Sequence, residues 1–335
     1  VSAEPAGRDD GTAEPSRPAR PLPAPPRLAP LRHATAGALS VAYHEAGPAD
    51  GPAVLLLHGF PYDVHSYTDV VPRLAGAGFR VVVPYLRGHG GTRFRDRATA
   101  RSGQQAALGR DVIDLMDALG IERAVLAGYD WGGRAACVAA VLWPERVVGV
   151  VSVNGYLIQD IRASLAPLSP RLEAGFWYFF YFLTERGRRG LEADRRGVAE
   201  VIWRRNSPEW AFDDATLERT AEAFENPDYV DVVIHSYRHR LNHADGAPEY
   251  ARLEARLAEL PPITVPAVTL DGLADGNFPA ADASAQAEHF TGPRRHRHVP
   301  HAGHNLPQEA PEAFAAAVLE VAGLGGVDSP IRAGT

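Results

Sequence analysis

The sequence predicts an α/β protein, with a mostly parallel sheet covered by helices on both faces and a helical cap inserted into it. Three observations carry this. Short continuous apolar runs recur at residues 53–57, 79–84, 123–127, 147–153 and 265–270, and strands buried on both faces read this way. Helical stretches separate them, which is the rhythm of a parallel sheet. The rhythm stops near Tyr156 and resumes after Pro261, and the residues between are aromatic, charged and helical in pattern.

Taken in order, residues 1–33 are rich in Pro, Ala, Arg and Glu. Such a segment buries too little apolar surface to offset its ordering entropy, so it reads as a flexible tail. Residues 38–44 alternate as an edge strand does. The buried run at 53–57 ends in His58-Gly59-Phe60-Pro61. Residues 66–75 are helical. The next buried run leads into Tyr85-Leu86-Arg87-Gly88-His89-Gly90-Gly91. Residues 104–119 form an amphipathic helix, with Leu108, Val112, Leu115, Met116 and Leu119 on one stripe. The run 147–153 closes the first part of the core. Residues 156–261 are the helical cap. The core returns over 262–326, with a strand at 265–270, a helix at 280–290, a strand at 295–299 and a last helix at 309–321. Residues 327–335 are a C-terminal tail.

Composition excludes several roles. The net charge is −7 across 335 residues, with no basic stripe, so nucleic acid is not an expected partner. The single cysteine, Cys137, forbids an internal disulfide and reads as a small core residue. No apolar run reaches the roughly 18 residues of a membrane span. No signal-peptide core is visible, so a cytoplasmic location is expected.

The chemistry is organised around Gly128-Tyr129-Asp130-Trp131-Gly132-Gly133, between a strand and a small-residue helix. This is the nucleophile-elbow spacing with Asp where Ser usually stands. A serine needs a base before it attacks. A carboxylate is already ionised and can attack an electrophilic carbon directly, giving an ester. Alone, Asp130 could simply cap the helix. Downstream lie Asp275, just past a strand, and His304, in Gly303-His304-Asn305. Nucleophile, acid, histidine is the hydrolase chain order. Asp275 is favoured over Asp271, which is still at the strand end, and His304 over His301, because a glycine precedes it. His296 and His298 share a strand face, but no nearby cysteine or carboxylate completes a ligand set, so no metal is expected. The backbone N–H groups of Phe60 and Trp131 could converge on one oxygen as an oxyanion hole.

These motifs, with Asp275-Gly276, resemble the epoxide hydrolase branch of the α/β-hydrolase family, which is related to haloalkane dehalogenases. The resemblance spans about residues 36–325. It implies an α/β-hydrolase fold with a cap and an Asp130–His304–Asp275 triad without cofactor. The implied reaction takes a small-molecule epoxide and water to a vicinal diol. It also implies two cap tyrosines that hydrogen-bond the epoxide oxygen. Tyr178 matches the first, in Tyr178-Phe179-Phe180-Tyr181-Phe182, with Tyr181 in reserve. Tyr237, before Arg238, matches the second. A pocket bounded by His58, Pro61, Trp177 and Phe179 is expected. The cap aromatics Phe176, Trp177, Phe179, Phe180, Phe182 and Trp203 suggest a bulky, apolar or aromatic epoxide, such as a secondary metabolite. Dehalogenation is the alternative, since Trp131 and Trp177 offer indole donors for a halide. A ligand-binding protein without catalysis is the second alternative. A homodimer is allowed.

Overall fold

The computed structural model describes residues 28–327, so most of the expected N-terminal tail and residues 328–335 lie outside it. The strands are β1 (Arg32–Ala36), β2 (Leu39–Ala46), β3 (Ala53–Leu57), β4 (Arg80–Pro84), β5 (Arg93–Phe94), β6 (Ala124–Gly128), β7 (Val147–Val153), β8 (Ala267–Gly272) and β9 (Arg294–Val299). Among the described residues they form one sheet in the order β1-β2-β4-β3-β6-β7-β8-β9, with β5 against β2. Pairing is parallel from β4 to β9 and antiparallel around β2. β1 begins inside the stretch expected as tail. Its residues Arg32 and His33 pair with Tyr43 and Ala42, an edge register that its polar sequence does not announce.

The helices are α1 (Val71–Gly76), α2 (Gln105–Ala118), α3 (Asp130–Leu142), α4 (Pro170–Gly175), α5 (Trp177–Leu183), α6 (Glu185–Ala193), α7 (Arg195–Asn206), α8 (Asp214–Ala221), α9 (Tyr229–Arg240), α10 (Ala251–Leu257), α11 (Leu306–Glu309) and α12 (Pro311–Leu324). α4 to α10 fall between β7 and β8, where the cap is expected. β3, β6 and β7 carry Leu56, Leu126 and Val151 at 0 % exposure, and each such side chain contributes about 1.5–3 kcal/mol. α2 packs closely on α3, because Gly109 has no Cβ to meet Val138 Cγ1, which would lie 2.3 Å away.

Three expected helices differ. Residues 66–75 divide into a 3-10 turn at Val64–Tyr67, capped by Asp63, and α1. The last helix breaks at Ala310, where ψ is 63°, ahead of Pro311, a position that proline biases away from helix. Residues 280–290 hold only a 3-10 turn, Ala287–His289. Side chains take its backbone groups: Asp271 accepts the Ala281 N–H and Asp282 that of Ser284. Gln286 is left-handed at φ 60° and reaches Tyr156 N–H with its own carbonyl.

The loop after β4 is fixed by a buried ion pair. Arg87, 1 % exposed, forks onto both Asp111 oxygens at 2.6 and 2.7 Å and donates to Ser102 O at 2.6 Å. Arg87→Met should therefore lower unfolding stability by about 3–5 kcal/mol, because it strands a largely buried carboxylate. Urea denaturation measures this, and a loss under 1 kcal/mol would show the pair to be dispensable.

Candidate active site

β6 ends at Gly128, Tyr129 is extended at φ −141°, and Asp130 opens α3 at φ 49°. A left-handed non-glycine residue costs roughly 1–3 kcal/mol, and close packing holds it there. A Cβ on Gly132 would sit 1.9 Å from Leu57 O, and one on Gly59 would sit 2.5 Å from Asp130 Cβ. The turn therefore presses against the end of β3, and Asp130 faces the loop that follows it. Phe60 N–H donates to Asp130 Oδ1 at 2.7 Å. The N–H of Trp131, in the first turn of α3, has no acceptor along its own helix. The positive end of the helix dipole also favours a carboxylate here.

His304 lies beyond β9, with Nε2 3.7 Å from Asp130 Oδ2 and Nδ1 2.9 Å from Asp275 Oδ2. Asp275 is fixed in turn, because its Oδ1 accepts the N–H groups of Asn277 and Phe278, both at 2.8 Å. The Phe278 ring stacks on His304 with centroids 5.4 Å apart, and Ser207 Oγ accepts the His304 N–H at 3.0 Å. Burial disfavours a charged imidazole, but the charge and hydrogen bond of Asp275, with the Asp130 carboxylate 3.7 Å away on the other side, outweigh it and raise the His304 pKa to about 10. For Asp130, burial pushes the carboxyl up, while His304 and the Phe60 N–H together hold it below the usual range.

The structure thus brings Asp130, His304 and Asp275 together and leaves their rivals outside. His301 is exposed and faces Glu209 at 3.1 Å. Asp271 lies one residue before the end of β8, buried, with Oδ2 accepting the Ala281 N–H at 2.7 Å. Contrary to the sequence reading, a carboxylate does accompany the β9 histidines: Asp271, His296 and His298 present ligand atoms within 4.8 Å of one another. Both imidazole Nε2 atoms contact Ala281 O, at 3.3 and 2.7 Å, so the cluster clamps the loop after β8.

A cavity of about 260 Å³ opens at Asp130 and His304 between core and cap. Tyr178, Phe179, Phe176 and Leu168 form its cap side. Tyr237 is fully buried beside it, with its ring 5.5 Å from that of Tyr178 and its hydroxyl without a partner. Burial, reinforced by the Asp130 charge, raises the pKa of Tyr178, so it remains a phenol. Tyr181 turns away, with its hydroxyl packed where Gly190 of α6 lacks a side chain.

Of the four expected pocket residues, only Phe179 lines this cavity. His58 is buried behind it, accepting the Leu86 N–H at 3.1 Å. Pro61, after a cis peptide, turns its carbonyl to the Trp203 indole at 2.8 Å. Trp177 lies on the far face of α5 against Tyr181. Phe180 is 45 % exposed, and Phe182 and Trp203 are core residues, so none of these three adds an apolar wall. Residues that the sequence reading missed do line it: Arg134, Arg240, Asn154, Gln159 and Phe278. Spacing held a signal for two of them. Arg134 lies one helical turn after Asp130, and Arg240 one turn after Tyr237.

Elbow, sheet and Asp–His–Asp grouping together describe an α/β-fold hydrolase. The family model described as alpha/beta hydrolase fold matches residues 52–311, and the chain belongs to that family, in its epoxide hydrolase branch. Epoxide hydrolase A of Mycobacterium tuberculosis is 28 % identical over 300 residues, covering 82 % of this chain and 92 % of that one. Epoxide hydrolase B of the same organism is 41 % identical over 161 residues, 44 % of each chain. A candidate epoxide hydrolase from Klebsiella pneumoniae, solved by crystallography, superposes with a TM-score of 0.85 at 49 % identity, covering 87 % of this chain and 96 % of that one. A haloalkane dehalogenase from Bradyrhizobium elkanii shares the fold at a TM-score of 0.72 and 21 % identity, covering 89 % and 97 %.

Proposed function

We propose that the protein hydrolyses an epoxide to a vicinal diol through an ester on Asp130. One observation carries the reading. Asp130 holds one oxygen on the Phe60 N–H and presents the other beside His304, which is backed by Asp275. Asp130 Oδ2 attacks an epoxide carbon, and the C–O bond opposite it breaks. The departing oxygen takes a proton from the Tyr178 phenol, with Tyr237 as the second donor. Water then gives a proton to neutral His304, and the hydroxide attacks Cγ of Asp130. The Phe60 and Trp131 N–H groups stabilise the oxyanion. The ester C–O bond at Cγ breaks, the alkoxide takes the proton left on the Asp130 carboxyl and departs as the diol, the Tyr178 phenolate regains a proton from solvent, and Asp130 keeps the water oxygen. No metal or organic cofactor enters these steps.

Dehalogenation would use the same triad. The Trp131 indole N–H, buried without an acceptor, is the observation that favours it. A single turnover in ¹⁸O-water separates the routes. The expected result is diol formation with the label in the Asp130 carboxylate. Label in the diol alone would mean direct hydration. Halide release from haloalkanes, with no diol from any epoxide, would select the dehalogenase.

A further inference from the structure

Two guanidinium groups, those of Arg134 and Arg240, share the cavity with the Asp130 carboxylate, and neither has a counter-ion among the described residues. Arg240 is 7 % exposed, and its Nε has no hydrogen-bond partner. Its guanidinium lies over the rings of Phe179 and Tyr237, 5.2 and 5.0 Å from their centroids. Arg134 also has a buried Nε without a partner. Its other contacts are long ones, from Nη1 to Gln105 and Gln159 oxygens at 3.4 and 3.5 Å. Among the described residues no carboxylate comes within 4.0 Å of either. Buried charges are ordinarily paired, because stripping their water costs several kcal/mol. The pair is costlier still because the two repel: burial first, and then the Arg240 charge, lower Arg134 to about 9, which leaves it cationic at neutral pH.

We propose that the substrate is a small epoxide bearing a carboxylate, which Arg134 and Arg240 hold while Asp130 attacks the ring. The epoxide half of this rests on the function proposed above; the anion site does not. Asp130 cannot serve as the missing counter-ion, since it is engaged with Phe60 and His304 and loses its charge in the ester. Two carboxylates, one imidazolium and two guanidiniums leave the resting site one positive charge in excess. A monoanion cancels that charge, and a planar carboxylate matches the guanidinium fork.

Position limits the substrate further. Asp130 and Arg134 are one turn apart on α3, and Tyr237 and Arg240 one turn apart on α9. One turn is about 5.4 Å, so the carboxylate lies no more than about three carbons from the oxirane. The cavity, about 260 Å³, suits that size. This replaces the bulky apolar epoxide expected from the cap aromatics, most of which do not reach the cavity.

The test uses cyclopropanecarboxylate and cyclopropanecarboxamide, unreactive shape analogues of an oxirane acid and its amide. Calorimetry on the wild-type protein should show the carboxylate binding on the order of 10–100-fold tighter, as expected for charge-assisted hydrogen bonds. Arg134→Met and Arg240→Met should each erase most of that preference, and Arg240→Lys should keep part of it. Equal affinity for acid and amide in the wild type overturns the proposal without recourse to any variant. So does a preference that survives both methionine substitutions. A parallel assay offers oxirane-2-carboxylate and its amide as substrates. Strong acid binding with no diol from either would leave the anion site standing and sink the epoxide reading instead.

Discussion

Asp130→Asn is expected to lower turnover by on the order of 10⁴–10⁶-fold, the range for removing a nucleophile that works within a triad, while the thermal midpoint moves by only a few degrees. Asparagine is the informative choice because of the backbone. Residue 130 stands at φ 49°, and asparagine tolerates the left-handed region far better than most residues. Its carbonyl oxygen can still accept the Phe60 N–H that now reaches Oδ1 at 2.7 Å. What disappears is the charge and the attacking oxygen. Asp130→Ala confounds the two effects, since it leaves the Phe60 N–H without an acceptor in a site that is largely buried. Measuring diol formation and thermal unfolding on both variants separates chemistry from folding. Turnover within tenfold of wild type in the asparagine variant would place the nucleophile elsewhere. The same variant reports on His304. The imidazole owes part of its raised pKa to Asp130, so its titration should move down from about 10, which histidine NMR can follow.

Much of the sheet was readable because each core strand from β3 to β8 is a short apolar run bounded by turn residues, and runs of that kind have few other fates. The chemistry was readable because tight turns demand particular residues. Only glycine fits at 132 against the end of β3, so the turn leaves its mark in the sequence. The misses have a common physical cause: side-chain competition over distance. Residues 280–290 have helical composition, yet Asp271, ten residues away, takes the Ala281 N–H. Residues Phe176 to Phe182 form one dense aromatic stretch, and only the turn of α5 decides that Tyr178 and Phe179 face the cavity while Trp177 turns away from it. Arg134 and Arg240 looked like ordinary charged helix positions. An arginine becomes conspicuous only when its surroundings are known to be buried and to lack a carboxylate, and that is a fact about α3 and α9 together.

The second large effect is expected at His304. His304→Gln should slow steady-state turnover by about 10²–10⁴-fold, the usual worth of a positioned base. The protein should gain the full mass of the epoxide, since ring opening expels nothing. At a resting pKa of about 10 His304 is an imidazolium at neutral pH and cannot act as a base until the ester forms. While Asp130 is a carboxylate, it and Asp275 favour the imidazolium, and alkylation needs no base. Once Asp130 is an ester, its charge is gone. Only Asp275 still supports the imidazolium, while burial opposes it, so the pKa falls and His304 releases its proton to solvent. Ester hydrolysis then rises with pH through that lower value and levels off above it. Alkylation fails only on the acid side, where Asp130, held below the usual carboxylate range, takes up a proton. Between these two limits the wild-type protein should itself accumulate the ester as pH is lowered, and rapid-quench mass spectrometry would detect it. Ester accumulating toward alkaline pH, or hydrolysis that begins only above about 10, would mean that Asp130 does not control the basicity of His304. The nucleophile and the base are thus coupled through one charge: forming the ester is the event that makes its own hydrolysis possible.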